Sequence, residues 1–277
     1  MEKLHFGTAG IPLSAVPYST ENGIARIAEL GLSAMEMEFV HNVNVSDEKA
    51  PQIRQIARGA NVLLTCHASF FINLNAVEKA KVEASKKRIL HAARTLNQCG
   101  GWSVCVHPGF YLKSTKEEAY RNVKKALADV VQIVKDSGNK VWIRPETTGR
   151  HSQVGNLGEV LQLCSEVDQC LPCIDFSHIR AYTLGKINSY EEYVSVLEKV
   201  EKQLGKNALR NVHLHCQGIA WGPKGERHHL KISHDPQWKY GDLMKALKDF
   251  KCSGVVVCES PNLETDALIL KKTYEKL

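Results

Sequence analysis

The stretch WSVCVHPGFYLKSTKEEAYRNVKKALADVVQIVKDSGNKVWIRPE, residues 102–146, decides the fold. Trp102–Val106 is a short, largely apolar, β-branched run, and His107-Pro108-Gly109 follows it. Lys116–Ser137 then repeats apolar residues at the three- and four-residue intervals of a helix with one buried face, and Gly138 supplies the stop. A second apolar run, Val141–Pro145, leads into Glu146. Strand, amphipathic helix and strand make a βαβ unit with parallel strands. Each strand delivers an imidazole or a carboxylate just past its C-terminal end.

The pattern extends outward in both directions. Further strands are expected at Lys3–Phe6, Ala34–Phe39, Asn61–Cys66, Cys173–Asp175, Asn211–His215 and Gly254–Cys258. Helices are expected at Glu21–Leu30, Asp47–Gly59, Ala76–Gln98, Leu157–Val167, Tyr190–Leu204, Trp238–Phe250 and Glu264–Lys272. Eight β-then-α units of about 35 residues each imply one closed (β/α)₈ TIM barrel, an α/β fold, with residues 1–277 as a single domain. An open doubly wound sheet is the competitor. It calls for a glycine-rich phosphate turn, and Gly7-Thr-Ala-Gly10 does not match that pattern.

Composition sets the class. Hydrophobic residues make up 43% of 277, enough for a sizeable core, and no apolar run reaches membrane-spanning length. Met1–Phe6 lacks a signal-peptide apolar region, and nine cysteines is an odd number, so reduced thiols and a cytoplasmic setting are expected. A net charge of +6 permits a polyanionic partner without requiring one, and the basic run Lys79–Arg94 carries Glu78 and Glu83 in helical spacing, as a solvated face does. The CxxC at Cys170–Cys173 lacks a helix-opening redox context. Cys66, Cys105 and Cys258 stand just ahead of candidate ligands, and strand alternation is expected to turn them toward the helix layer.

Nine side chains carry the chemistry. His67, His107, Glu146, Asp175, His178, His213, Glu226, His228 and Glu259 all fall at strand C-terminal ends or in the following loops, the face where barrels build active sites. One such histidine by itself reads best as a satisfied imidazole. Nine ligands at one rim need cations to pair them, and they exceed what one four- or five-coordinate ion uses. Two or three ions bridged by a carboxylate fit, with zinc favoured and manganese an alternative at some positions. His215 and His229 neighbour chosen ligands and rank below them, suited to an outer shell. His41 and His151 lie in mouth loops, His5 in the first strand and His91 mid-helix; His234 has no assigned role.

Taken together, Cys66-His-Ala-Ser-Phe-Phe-Ile-Asn73, Val106-His-Pro-Gly109, Pro145-Glu-Thr-Thr-Gly149, Ile174-Asp-Phe-Ser-His178, Val212-His-Leu214, Glu226-Arg-His-His229 and Cys258-Glu-Ser260 resemble the endonuclease IV family of abasic-site endonucleases. The resemblance implies a TIM barrel with a trinuclear zinc centre. His67, His107 and Glu146 would form the first site; Glu146, Asp175, His213 and Glu259 the second; His178, Glu226 and His228 the third. It also implies hydrolysis 5′ to an abasic nucleotide in double-stranded DNA, leaving a 3′-hydroxyl, with Glu259 and Glu146 as catalytic carboxylates. DNA contacts would come from Phe70, Phe71 and Asn73, and from Trp221, Lys224 and Arg227 in the segment Gln217–Gln237, which otherwise reads as a lid over the metals. A monomer is expected. Three departures stand out: Glu226 replaces the family's usual Asp, Phe70 its usual Tyr, and His41–Asp47 holds no Arg or Lys. The rivals are a metal-dependent sugar isomerase or epimerase of the xylose-isomerase-like group and a non-catalytic nucleic-acid-binding protein.

Overall fold

The computed structural model describes residues 2–277. Eight parallel strands form the barrel: β1 (Leu4–Ala9), β2 (Ala34–Glu38), β3 (Leu63–His67), β4 (Ser103–Val106), β5 (Trp142–Pro145), β6 (Cys173–Asp175), β7 (Val212–His215) and β8 (Gly254–Cys258). They pair in the order β5-β4-β3-β2-β1-β8-β7-β6. The seam between β5 and β6 closes through parallel bridges Ile143–Cys170 and Glu146–Cys173. Helices follow the strands in turn, and the expected (β/α)₈ barrel is the observed fold.

Expected and observed elements differ mainly at their ends. β3 begins at Leu63 because Asn61, at φ 59°, caps the helix Ala50–Ala60 in the left-handed conformation. The helix expected from Ala76 starts at Lys79. Two features beside the mouth escaped the periodicity. Asp175 accepts the backbone N–H of His178 and so caps an extra short helix, Phe176–Tyr182. After β7 the chain folds into an antiparallel hairpin, Gly218–Gly222 with Gly225–Leu230.

Alternation along each strand sorts two interiors. Outward residues such as Val104, Val106, Ile143 and Leu214 are fully buried against the helices and make the main core. Inward residues fill the barrel in layers. Its floor holds Arg144, whose guanidinium stacks 4.6 Å from the Trp102 ring and donates to Pro172 O and Asn211 O. Above it lie Glu36, Thr65, Ser103 and His213, all completely buried. The mouth is the next pleat up.

Candidate metal centre

Glu146 organises the mouth. Its Oε2 lies 3.3 Å from His67 Nε2 and 3.2 Å from His107 Nε2; its Oε1 lies 3.2 Å from His178 Nδ1 and 3.1 Å from His215 Nδ1. One carboxylate thus faces two histidine pairs, one pair per oxygen, as a bridging ligand would. Asp175 adds Oδ2 at 3.2 Å from His178 Nδ1, and Glu259 adds Oε2 at 3.4 Å from His215 Nδ1. Potential ligand atoms gather into overlapping groups: His67, Cys105 and Glu146; Glu146, Asp175, His215 and Glu259; His178, His229 and Glu259. The groups share Glu146 and Glu259, so they form one continuous centre.

The structure places two of the expected ligands, His213 and His228, away from the cluster. His213 sits opposite Cys173 and Val255 in register, one pleat below His215, which pairs with Asp175 and Val257. Both rings point inward, but only His215 reaches the mouth; His213 Nε2 lies 2.9 Å from Glu36 Oε2 instead. His228 is turned away by a bulge. Trp221 pairs with Glu226 and Ala220 with His228, leaving Arg227 without a partner. That extra residue shifts the alternation, so Glu226 and His229, three apart, both line the cavity while His228 is exposed. His229 Nε2 is 3.4 Å from His178 Nε2, and Glu226 Oε2 is 3.5 Å from the same nitrogen. His67, His107, Glu146, Asp175, His178, Glu226 and Glu259 are brought together where the strand-end reading placed them.

Backbone detail allows the hairpin to dock. Glu226 N donates to Gly149 O at 2.8 Å, and a Cβ on Gly225 (φ +93°) would lie 2.1 Å from that oxygen. A Cβ on Gly149 would strike Glu226 Cβ at 2.6 Å. Two glycines are therefore required where this loop meets the mouth.

Several participants were missed. Gln217 Nε2 donates to Asp175 Oδ2 at 2.7 Å. Glu36 and Glu38 project into the barrel from β2, where the sequence Ala34-Met-Glu-Met-Glu38 carried the period-2 signal. Cys105 stands two residues before His107 and so shares its face; its Sγ donates to Glu146 Oε2 at 3.2 Å, against the expectation that it turns outward. Cys66 and Cys258 do pack toward the helices. All nine cysteines are free and buried.

Burial and mutual charge shift the titrations strongly. Burial alone would lower His67, but the hydrogen bond and charge of Glu146 overcome it and hold the imidazole at about 10. Burial, opposed by His178 but reinforced by Glu259 and Glu146, pushes Asp175 up to about 8. Burial would also raise Glu259, yet the charge of His215 holds it down at about 2. Burial lowers His107 to about 4. Such opposed shifts mark a dense patch of ligands competing for few protons.

The donor set suits a metal. Imidazoles and carboxylates predominate, and two buried polar atoms at the mouth, Glu259 Oε2 and His107 Nδ1, have no hydrogen-bond partner. These residues fit zinc, and would hold it through Glu146 as the shared carboxylate.

The cavity above them has a volume of about 390 Å³ and is lined by His67, Phe70, His107, Arg150, Glu226 and Glu259 among others. That is the scale of a small-molecule site open to the barrel rim. Phe70 and Phe71 are more than half exposed there, with Phe70 edge-on to His67 at 5.5 Å. Lys224 and Arg227 are exposed on the hairpin. Asn73 and Trp221 have structural partners. Asn73 Oδ1 accepts from Asn75 N and Phe110 N, tying two loops together, and the Trp221 ring lies 4.6 Å from the Arg180 guanidinium.

Comparison with known proteins places this geometry. The chain is 44% identical to a protein of Methanocaldococcus jannaschii described as uncharacterized, over 99% of this chain and 98% of that one. It is 24% identical to a probable endonuclease 4 of Oceanobacillus iheyensis over 76% of this chain and 71% of that one. Among solved structures, a D-tagatose 3-epimerase-like protein superposes with TM-score 0.75 at 20% identity, covering 97% of this chain and 96% of that one. Endonuclease IV from Thermus thermophilus superposes with TM-score 0.70 at 18% identity, covering 97% and 98%. Among the described residues, no helix is long and apolar enough to cross a membrane. The family model for xylose isomerase-like TIM barrels matches residues 24–276, and the chain belongs to that family.

Proposed function

We propose that the protein is a zinc-dependent abasic-site endonuclease, hydrolysing the phosphodiester 5′ to an apurinic or apyrimidinic nucleotide in duplex DNA and leaving a 3′-hydroxyl. It would act as a cytoplasmic monomer in base-excision repair, with about three ions per chain. The observation that carries this reading is Glu146, which turns one oxygen toward His67 and His107 and the other toward His178 and His215. A one-ion site would use Glu146, Asp175, His215 and Glu259 and leave the first pair, with Glu226 and His229 beyond His178, without an ion to hold.

The chain's own groups supply the rest. Bound zinc contributes Lewis-acid charge and lowers the pKa of water at the scissile phosphate. Glu259, anionic at neutral pH, with Oε2 near His215 Nδ1 but in no hydrogen bond, is placed to accept a proton from the attacking water. Glu146 fixes the spacing of the two histidine pairs. Arg150, about half exposed and 3.6 Å from Glu226 Oε1, is available to a phosphate oxygen at the rim. Phe70 and Phe71 offer stacking surface to bases beside the lesion. An abasic sugar is already unpaired and enters a cavity of this size without breaking a base pair.

A second reading has its own support: Glu146, Asp175, His215 and Glu259 alone make a one-ion set, and the epimerase-like superposition covers nearly the whole chain. One experiment separates the two. Purified protein is assayed for metal by elemental analysis, for nicking of an abasic duplex, and for epimerisation of ketohexoses. Nicking with more than two zinc ions per chain, abolished by Glu259→Gln with most of the metal retained, is expected. Sugar turnover without nicking would replace the endonuclease reading with the epimerase one.

A further inference from the structure

Glu36 is a buried carboxylate that the reaction above does not use. It lies one pleat below the mouth, with no exposure to solvent. Thr65 Oγ1 donates to its Oε2 at 2.8 Å, His213 Nε2 lies 2.9 Å from Oε2, and His215 Nε2 lies 3.0 Å from Oε1. Neither imidazole is aligned on it as a hydrogen bond, though both nitrogens lie within ion-pair distance. His213 is itself held by Ser103, Oγ to Nδ1 2.8 Å. A buried carboxylate costs several kcal/mol unless cations or donors surround it, and here Thr65, His213 and His215 do.

His215 is the link between this group and the mouth. Its Nε2 faces Glu36, while its Nδ1 faces Glu146 Oε1 at 3.1 Å and Glu259 Oε2 at 3.4 Å. A neutral imidazole carries one proton, and which nitrogen holds it is set by the neighbours. An anion 3.0 Å from Nε2 favours the proton there. That leaves a lone pair on Nδ1, directed among carboxylates, where it is repelled unless a cation lies between them. Metal-ligating histidines are commonly fixed by a carboxylate on the far nitrogen.

We propose that Glu36 is a positioning residue for the metal centre: it holds His215 with the proton on Nε2 and presents Nδ1 to the cation shared with Glu146, Asp175 and Glu259. Thr65 and the His213–Ser103 pair hold the Glu36 carboxylate in turn. This rests on the reading of the mouth as a metal centre.

The test uses the full-length protein and zinc alone. Glu36→Gln keeps the shape and removes the charge. Zinc affinity is measured by competition with a chromophoric chelator, and the His215 tautomer by ¹⁵N chemical shifts of the metal-free protein, read on the alkaline side of its titration because Cys173, Glu259 and Glu36 outweigh burial and raise the ring well above its usual range, and assigned with His215→Gln. Expected for Glu36→Gln is an affinity loss of about 10–100-fold for one ion, the others unchanged, with a rise in the Nδ1-protonated tautomer. Glu36→Asp should recover part of the affinity. If Glu36→Gln does not fold, Thr65→Val should shift both readouts the same way by less. Unchanged affinity and tautomer in Glu36→Gln overturn the proposal. So does loss of a whole zinc equivalent in both Glu36→Gln and His213→Gln, which would make Glu36 a ligand of its own ion. A wild-type protein that binds no zinc sinks the metal centre itself; a zinc-binding wild type with an indifferent Glu36→Gln sinks only the role of Glu36.

Discussion

Asp235→Ala tests how the third part of the metal centre is held in place. Arg180 and Asp235, both nearly inaccessible to solvent, form a two-pronged pair, Nη1 to Oδ2 at 2.6 Å and Nη2 to Oδ1 at 3.0 Å. Asp235 Oδ2 also accepts the backbone N–H of Ile219, and Arg180 stacks on Trp221. The pair thus fastens the hairpin Gly218–Leu230, which carries Glu226 and His229, to the short helix Phe176–Tyr182, which carries His178. Removing the carboxylate strands a buried guanidinium, at about 3–5 kcal/mol, and orphans the Ile219 N–H, at about 1 kcal/mol more. A loss of about 4–6 kcal/mol is a large part of a domain's total of about 5–15 kcal/mol. Asp235→Asn, which keeps an acceptor for Ile219, should lose about 3 kcal/mol by the same reasoning. The double change Arg180→Met, Asp235→Leu removes both charges and should fall within about 2 kcal/mol of wild type. Urea unfolding at fixed zinc reads the stabilities, and elemental analysis should show Asp235→Ala short of the ion between His178 and His229. If Asp235→Ala costs less than about 1 kcal/mol, or matches the double variant, the pair is not a buried clamp and the reasoning fails.

Two further outcomes follow from the mouth. His229→Ala should lower bound zinc by one ion while His228→Ala leaves it unchanged; the reverse result would restore the unbulged register. Metal-free protein should lose stability as pH rises from 7 to 9. Asp175 and Glu38, each pushed up to about 8, His67 at about 10, and His178 and His215, both raised, all have folded pKa values above their ordinary ones. Folding therefore takes up protons in this window, and the stabilisation fades as each group deprotonates in the fold. Cys173, down at about 6, works the opposite way but stands alone against five, and His107 at about 4 titrates below the window. Melting temperatures of the chelator-treated protein that stay flat or rise across this range would contradict the sign.

The sequence by itself determined the barrel and most of its mouth. Apolar period and β-branched runs fix which segments become strands and helices, and a parallel sheet with crossover helices closes in few ways. His67, His107, Glu146, Asp175 and Glu259 were legible because a strand's last residue lies at the mouth whatever the neighbouring strands do. Position within a strand was not: His213 and His215 both point inward, and only the stagger of β7 against β6 and β8 decides which rises to the rim. His229 displaced His228 because one unpaired residue, Arg227, reversed the alternation, and a bulge leaves no mark in hydropathy. Glu36 drew no reading from the sequence, and its burial came from closure of the barrel around it. Local order is encoded in side-chain volume and polarity along the chain; register and depth are relations between strands distant in sequence, and they exist only once those strands have paired.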